Sequence, residues 1–194
     1  MKITTVRTRS VLALLAGLAV LGVGPAVAAG TTPSNDHPTG SQISHSKRLA
    51  QIRTATALFH NIAAAEDAGY VQFKDKDGVS CIDMPGMGGM GVHFVNPKLI
   101  ADPAIDPARP EALVFAPDRD GTLRLAALEY LVDKKAWDAK HAYGPQLFRH
   151  HPFDITTAPN RYNLPTFYSQ HVWAWKANPS GPLNMWNPKV KCPV

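Results

Sequence analysis

Four side chains that could bind a metal occupy positions where the neighbouring sequence is apolar. Glu66 falls on the apolar stripe of a predicted helix, and His93 lies between two apolar residues after a glycine-rich segment. Glu129 shares a predicted strand face with Leu125, and His171 shares another with aromatic residues. Two imidazoles and two carboxylates form a typical ligand set for a divalent ion such as Zn, Mn, Fe or Cu.

A buried carboxylate narrows the chemistry further. An ionised carboxylate without a partner in a protein core costs several kcal/mol. Such a group must be paired, protonated or bound to a metal. A metal with an open coordination position would activate water or oxygen, which would make the protein an enzyme. Metal binding without catalysis fits the same residues, so the sequence predicts a metal site and leaves enzymatic activity open.

Three other interpretations are compatible with the sequence. Glu129 and His171 could act as an acid–base pair without a metal. The polar groups could instead form a buried network that only fixes core packing, with Glu129 paired to Arg124 or Arg161. A non-catalytic binding module would use an apolar pocket lined by four aromatic residues, namely Tyr168, Trp173, Trp175 and Trp186.

A methionine-rich segment is another candidate site. Met84, Met87 and Met90 recur at every third position and lead to His93. Thioether sulfur favours Cu(I), so the spacing is compatible with a copper site. Alternatively, methionine fills gaps beside a glycine-rich loop, and the neighbouring glycines favour that interpretation.

Residues 1–28 have the organisation of a secretory signal. A basic start precedes an uncharged run over residues 11–24, and Ala26-Val27-Ala28 supplies a cleavage site. The run is shorter than the roughly 20 residues that a transmembrane helix needs. Cleavage after Ala28 removes three cations and no acids, which lowers the net charge from +5 to +2 and argues against nucleic-acid binding. We therefore predict a secreted or periplasmic protein without a stable membrane anchor, whose partner is a metal ion or small molecule.

Cys81 and Cys192 are the two cysteines of the chain. In an exported protein of this kind, a single disulfide is the default prediction. It would tie the C-terminal end to the middle of the chain, and the entropic model for so long a loop gives about 4–5 kcal/mol of stabilisation.

The secondary structure predicted around these residues indicates an α+β fold. In this fold an N-terminal amphipathic helix packs on a mainly antiparallel sheet or small open barrel. A disordered lead-in is predicted over residues 29–45 and a single globular domain over residues 46–194. The helix is predicted over residues 46–68, and residues 133–141 form a short helix or a loop. Residues 81–91 and 145–164 are predicted to be irregular. The strand-like runs are residues 70–73, 91–95, 112–116, 122–132 and 166–176.

Four sequence motifs lie between residue 89 and the C-terminal end of the chain. They are GMGVHFVN at residues 89–96, LEYLV at 128–132, HVWAWKANPSG at 171–181, and WNP at 186–188 followed by Cys192. Together they resemble a family of small exported bacterial proteins of uncharacterised function. The resemblance runs from about residue 57 to residue 192, and it implies that this span is one folded unit.

Overall fold

Seven antiparallel strands form one open sheet in the computed structural model, which describes residues 40–193 and their side chains from His45 onward. The strands are β1 (Val71–Gln72), β2 (Cys81–Met84), β3 (Gly88–Val95), β4 (Ala112–Pro117), β5 (Leu123–Asp133), β6 (Asp154–Thr156) and β7 (Phe167–Val172). Their order is β1-β3-β4-β5-β7-β6, and β2 also pairs with β3. Helices together with an antiparallel sheet confirm the predicted α+β class, and the sheet is open.

The predicted signal peptide, its cleavage site after Ala28 and most of the predicted lead-in lie outside the described residues. Helix α1 (Gly40–Thr56) begins within the last residues of the span predicted as a lead-in. No helix of residues 40–193 combines the length and apolar character that a membrane span requires.

The helix predicted over residues 46–68 is interrupted. A 3-10 turn (Ala57–His60) follows α1, and a separate helix, α2 (Ile62–Asp67), comes next. Asn61 separates them because its backbone is extended, with φ −92° and ψ 114°. Its side chain accepts a hydrogen bond from the Ala63 amide, which caps α2. The interruption changes which residues of the second helix face the core.

Two further short helices flank the central strands. Helix α3 (Pro97–Ile100) begins after Asn96, whose side chain accepts a hydrogen bond of 3.1 Å from the Lys98 amide. Helix α4 (Lys134–Asp138) lies within the segment predicted as a short helix or loop.

The glycine- and methionine-rich segment is regular structure, contrary to the prediction. Strands β2 and β3 form a hairpin across it, and the C-terminal segment docks on its glycines. Gly88 has φ 96°, and a Cβ there would collide with the carbonyl oxygen of Asn187. The Gly89 amide lies within 3.0 Å of the Val190 carbonyl. The glycines therefore make room for a neighbouring chain segment.

The predicted disulfide between Cys81 and Cys192 is confirmed, with a Cα–Cα distance of 5.5 Å. It joins strand β2 to the C-terminal segment that packs on the hairpin. The covalent bond and the glycine contacts thus hold the same two parts of the chain together.

Two strand predictions differ from the structure near the C-terminal end. Strand β6 lies inside the segment predicted to be irregular. Strand β7 ends at Val172, well before residue 176, because the amides that follow leave the ladder. The Trp173 amide donates to the Pro182 carbonyl, and the Trp175 amide donates to the Ala126 carbonyl.

A β-bulge in β5 changes which of its residues face each side of the sheet. Val114 pairs with Ala127 and Phe115 with Leu125, so Ala126 is an extra residue. Leu125 belongs to the larger core, whereas Ala127 belongs to a smaller core with Trp173 and Val190. The prediction that Leu125 and Glu129 share a face is therefore wrong, because the extra residue reverses the alternation.

Candidate metal site

Three of the four predicted polar residues converge on the face of the smaller core. His93 lies on β3, Glu129 on β5 and His171 on β7. Glu129 and His171 are paired directly across neighbouring strands. His93 Nε2 lies 3.3 Å from Glu129 Oε2, and one ligand atom from each of the three residues lies within 4.8 Å of the others.

The strand between His93 and Glu129 makes this contact sterically possible. Ala112 on β4 pairs with Glu129 on one side and with Val95 on the other. Directly paired residues project to the same face, and His93 pairs with Val114 on that face. The contact between His93 and Glu129 therefore runs diagonally across β4, and the small side chain of Ala112, next to Glu129, leaves room for it.

All three side chains are removed from water. The exposed fractions are 5% for His93, 8% for Glu129 and 3% for His171. Neither ring nitrogen of either histidine has a hydrogen-bond partner, because the 3.3 Å approach of His93 to Glu129 lacks the geometry of a hydrogen bond. Buried polar atoms are nearly always satisfied, so four unsatisfied nitrogens in one place require an explanation.

The protonation states suit metal binding. Burial raises the pKa of Glu129, but the adjacent His93, the His171 imidazole and the Ser169 hydroxyl together bring that pKa below its usual value. Burial lowers the pKa of His171 to about 4, with Glu129 opposing this shift and His93 adding to it. At neutral pH Glu129 is therefore ionised and His171 is neutral, and these are the forms that bind metals.

The distance between His93 and Glu129 also fits an ion. Zinc binds imidazole nitrogen and carboxylate oxygen at about 2.0–2.2 Å, so neighbouring ligands of a tetrahedral ion lie roughly 3.4 Å apart. The His93–Glu129 distance of 3.3 Å agrees with this spacing. The group His93, Glu129 and His171 could hold a metal ion.

Glu66 does not belong to this group. It lies on α2, where its side chain is exposed and Ala65 is the buried residue. The prediction that Glu66 lies on a buried stripe is wrong, because the break at Asn61 shifts the helical phase on which it depended.

The arginines that might have neutralised Glu129 are engaged elsewhere. Arg124 pairs with Asp118 at 3.2 Å, and the Arg161 Nε donates to Asp75 at 2.9 Å. The salt bridges considered for Glu129 are therefore not formed.

An apolar cavity of about 340 Å³ adjoins His93 and Glu129. Its other lining residues come from the sheet, from α3 and from the segment before β7, namely Phe73, Ile82, Val95, Pro97, Ile100, Ala101, Leu131, Tyr162, Leu164 and Phe167. Phe167 was recognisable from the sequence because it alternates with His171. Tyr162 and Leu164 lie in a stretch predicted to be irregular, and no periodic pattern marks them.

The four aromatic residues predicted to form a pocket do not line this cavity. Tyr168 belongs to the larger core and Trp173 to the smaller one. The Trp175 Nε1 donates to Thr56 Oγ1 at 3.2 Å, and Trp186 is half-buried near the C-terminal end. Strand alternation in β7 and the early end of that strand place these rings in different environments.

The methionine spacing does not gather its sulfur atoms. Met84 and Met87 are exposed beside the hairpin turn, whereas Met90 is buried. The Tyr162 hydroxyl donates to the Met90 sulfur at 3.9 Å. A three-residue period follows a helix and not a strand, so the hairpin separates these side chains.

A second buried carboxyl, Glu111, was not identified from the sequence. It directly precedes β4, and its Oε2 accepts a hydrogen bond of 3.0 Å from the Leu131 amide. Burial raises the pKa of Glu111 to about 8, with the Leu131 amide opposing the shift. Because β4 begins opposite Glu129, the Leu131 amide has no β4 partner, and Glu111 satisfies it. Its position before an apolar run was the only available signal.

Comparison with family models, with curated proteins and with solved structures finds no match to this chain.

Proposed function

We propose that this protein binds one divalent transition-metal ion through His93, Glu129 and His171. The main supporting observation is the buried cluster of His93, Glu129 and His171, in which no imidazole nitrogen has a hydrogen-bond partner. Two histidines and one carboxylate suit Zn, Mn, Fe or Cu, and the set resembles the ligands of catalytic zinc sites and of non-haem iron sites.

We also propose that the site is catalytic. An ion held by three protein ligands keeps a coordination position for water or another small ligand and acts there as a Lewis acid. Glu129 would offset the charge of the ion, and the burial of both histidines would exclude bulk water. The adjoining cavity gives a reactant a place next to the site.

Export is part of the same proposal. The disulfide Cys81–Cys192 supports it, because disulfides persist mainly in oxidising compartments. The leader-like residues 1–28 and the resemblance to small exported bacterial proteins point the same way.

Elemental analysis and metal titration test this function directly. The protein is purified untagged without chelator, and its metal content is measured before and after incubation with each ion and desalting. We expect one equivalent of metal in the wild type and in a control, His141→Ala, whose imidazole is exposed. We expect the His171→Ala variant to retain none while remaining folded by circular dichroism.

The competing interpretation is a buried polar network without metal. It predicts no uptake by the wild type, together with a loss of stability in His171→Ala. That pair of results would overturn the metal proposal.

A further inference from the structure

The cavity next to His93 and Glu129 has mainly apolar walls. Apolar side chains from the sheet, from α3 and from the segment before β7 form most of its surface. The polar side chains among its lining residues are His93, Glu129 and Tyr162. Because the Tyr162 hydroxyl already donates to the Met90 sulfur, the unsatisfied polar atoms of the cavity lie on the His93 and Glu129 side.

The volume sets the size of an occupant. Protein interiors fill about three quarters of their space with atoms, so about 340 Å³ accommodates on the order of a dozen non-hydrogen atoms. A bicyclic aromatic ring system has this size. Ligand pockets of this kind combine apolar walls with a few placed polar groups that orient the ligand.

The charges of the lining select for a neutral molecule. No lysine or arginine is among the lining residues, and the carboxylate of Glu129 is. In the metal-free protein, an anion in this cavity would lose its hydration without gaining a cationic side chain as a partner. Beyond His93 and Glu129, the polar side chain among the lining residues is Tyr162, whose hydroxyl already donates to the Met90 sulfur.

We propose that this cavity binds a small, uncharged, mainly apolar molecule of bicyclic-aromatic size, with its polar end towards His93 and Glu129. If the molecule is a substrate of the protein, this inference rests on the proposed metal site. If the molecule is only a bound ligand, the inference depends on the cavity alone.

Binding of 2-naphthol, measured by fluorescence titration and by calorimetry on the purified protein, tests the inference. We expect a dissociation constant below about 100 µM, which is ordinary efficiency for a ligand of this size. Naphthalene-2-sulfonate has the same rings but a negative charge, and we expect the metal-free protein to bind it at least tenfold more weakly than 2-naphthol. Equal affinity for both probes, or no binding of 2-naphthol, would overturn the inference.

Two alanines provide a matched pair of variants. Ala101 follows α3 and lies at the exposed mouth of the cavity, and Ala139 follows α4 outside it. Both are exposed, and both have helical backbone angles at the end of a short helix. We expect Ala101→Phe to fill the cavity and weaken 2-naphthol binding at least tenfold, and Ala139→Phe to leave it unchanged. Similar effects of the two substitutions would contradict the assignment.

The His171→Ala variant separates this inference from the metal proposal, because His171 is not among the residues that line the cavity. We expect it to lose metal and keep 2-naphthol binding. A wild type that binds metal but not 2-naphthol would leave the metal site standing and refute the ligand. A wild type that binds 2-naphthol but no metal would keep the ligand assignment and refute the assignment of a metal-dependent substrate.

Discussion

Two buried glutamates near the centre of the sheet behave in opposite ways. Glu111 and Glu129 are exposed by only 2% and 8%, and Ala112, the residue after Glu111, pairs with Glu129. Nevertheless burial raises the pKa of Glu111 to about 8, while the pKa of Glu129 lies below its usual value. At neutral pH one carboxyl is largely protonated and the other is ionised.

The difference lies in the neighbours and not in the burial. Glu129 faces two imidazoles, which stabilise its negative charge. Glu111 accepts a hydrogen bond from one backbone amide, which does not offset the cost of desolvation. A carboxyl in a core thus serves as a structural cap or as a candidate metal ligand according to the groups that face it.

The largest expected difference between Glu129 and Glu111 is in metal affinity, when each is replaced by glutamine. We expect Glu129→Gln to weaken metal binding by roughly 100–1,000-fold, because a four-ligand zinc site binds with about 10–16 kcal/mol, or about 2.5–4 kcal/mol per ligand. Glu111→Gln should leave the affinity unchanged. Calorimetric titration with Zn²⁺ measures both, and equal losses in the two variants would erase the distinction.

The pH dependence of stability should separate the two carboxyls next. Glu111 binds its proton more tightly in the folded chain, so its favourable contribution is complete below pH 4.5 and is lost as the pH rises towards 8. The Glu111→Gln variant does not titrate there. We expect its unfolding free energy, relative to wild type, to rise by up to about 4 kcal/mol between pH 4 and pH 9.

The contribution of Glu129 to stability has the opposite pH dependence. Its folded pKa is lowered, so its contribution is present at neutral pH and is lost as the pH falls below 4.5. Urea denaturation across the pH range measures both trends. A Glu111→Gln variant whose stability tracks that of the wild type at alkaline pH would show that Glu111 is not protonated in the fold.

Replacing Ala112 on β4 with a larger residue tests how His93 and Glu129 come into contact. Ala112→Leu should cost about 1–3 kcal/mol by overpacking and should also weaken metal binding by roughly 10–100-fold, because the ligands are displaced. Ala116→Leu, on the same strand in the smaller core, should cost similar stability without weakening metal binding. Chemical denaturation measures the change in stability, and metal titration measures the change in affinity. Loss of metal in both variants would show that Ala112 has no specific role in positioning His93 and Glu129.

The smallest effect is expected at Glu66. Because its side chain is exposed, Glu66→Gln should change the unfolding free energy by no more than about 0.5 kcal/mol and leave metal stoichiometry intact. A loss of metal in this variant would place Glu66 at the site after all.

The sequence predicted part of the site for a physical reason. Polar residues inside apolar runs are costly, so His93, Glu129 and His171 stood out without any knowledge of pairing. Glu66 stood out for the same reason but depended on an unbroken helix, which the capping side chain of Asn61 prevents. Glu111 escaped notice because it precedes its strand, where a polar residue is unremarkable.

Local chemistry in the sequence determined the α+β class, the strands around the three candidate ligand residues and the disulfide between Cys81 and Cys192. Only the tertiary structure decided which polar residues meet. Strand order set β3 two strands away from β5, the small Ala112 on β4 left room for contact, and the bulge at Ala126 set the face of Leu125 relative to Glu129. These are consequences of pairing between distant segments, and a one-residue change in register moves a side chain to the opposite face of a sheet.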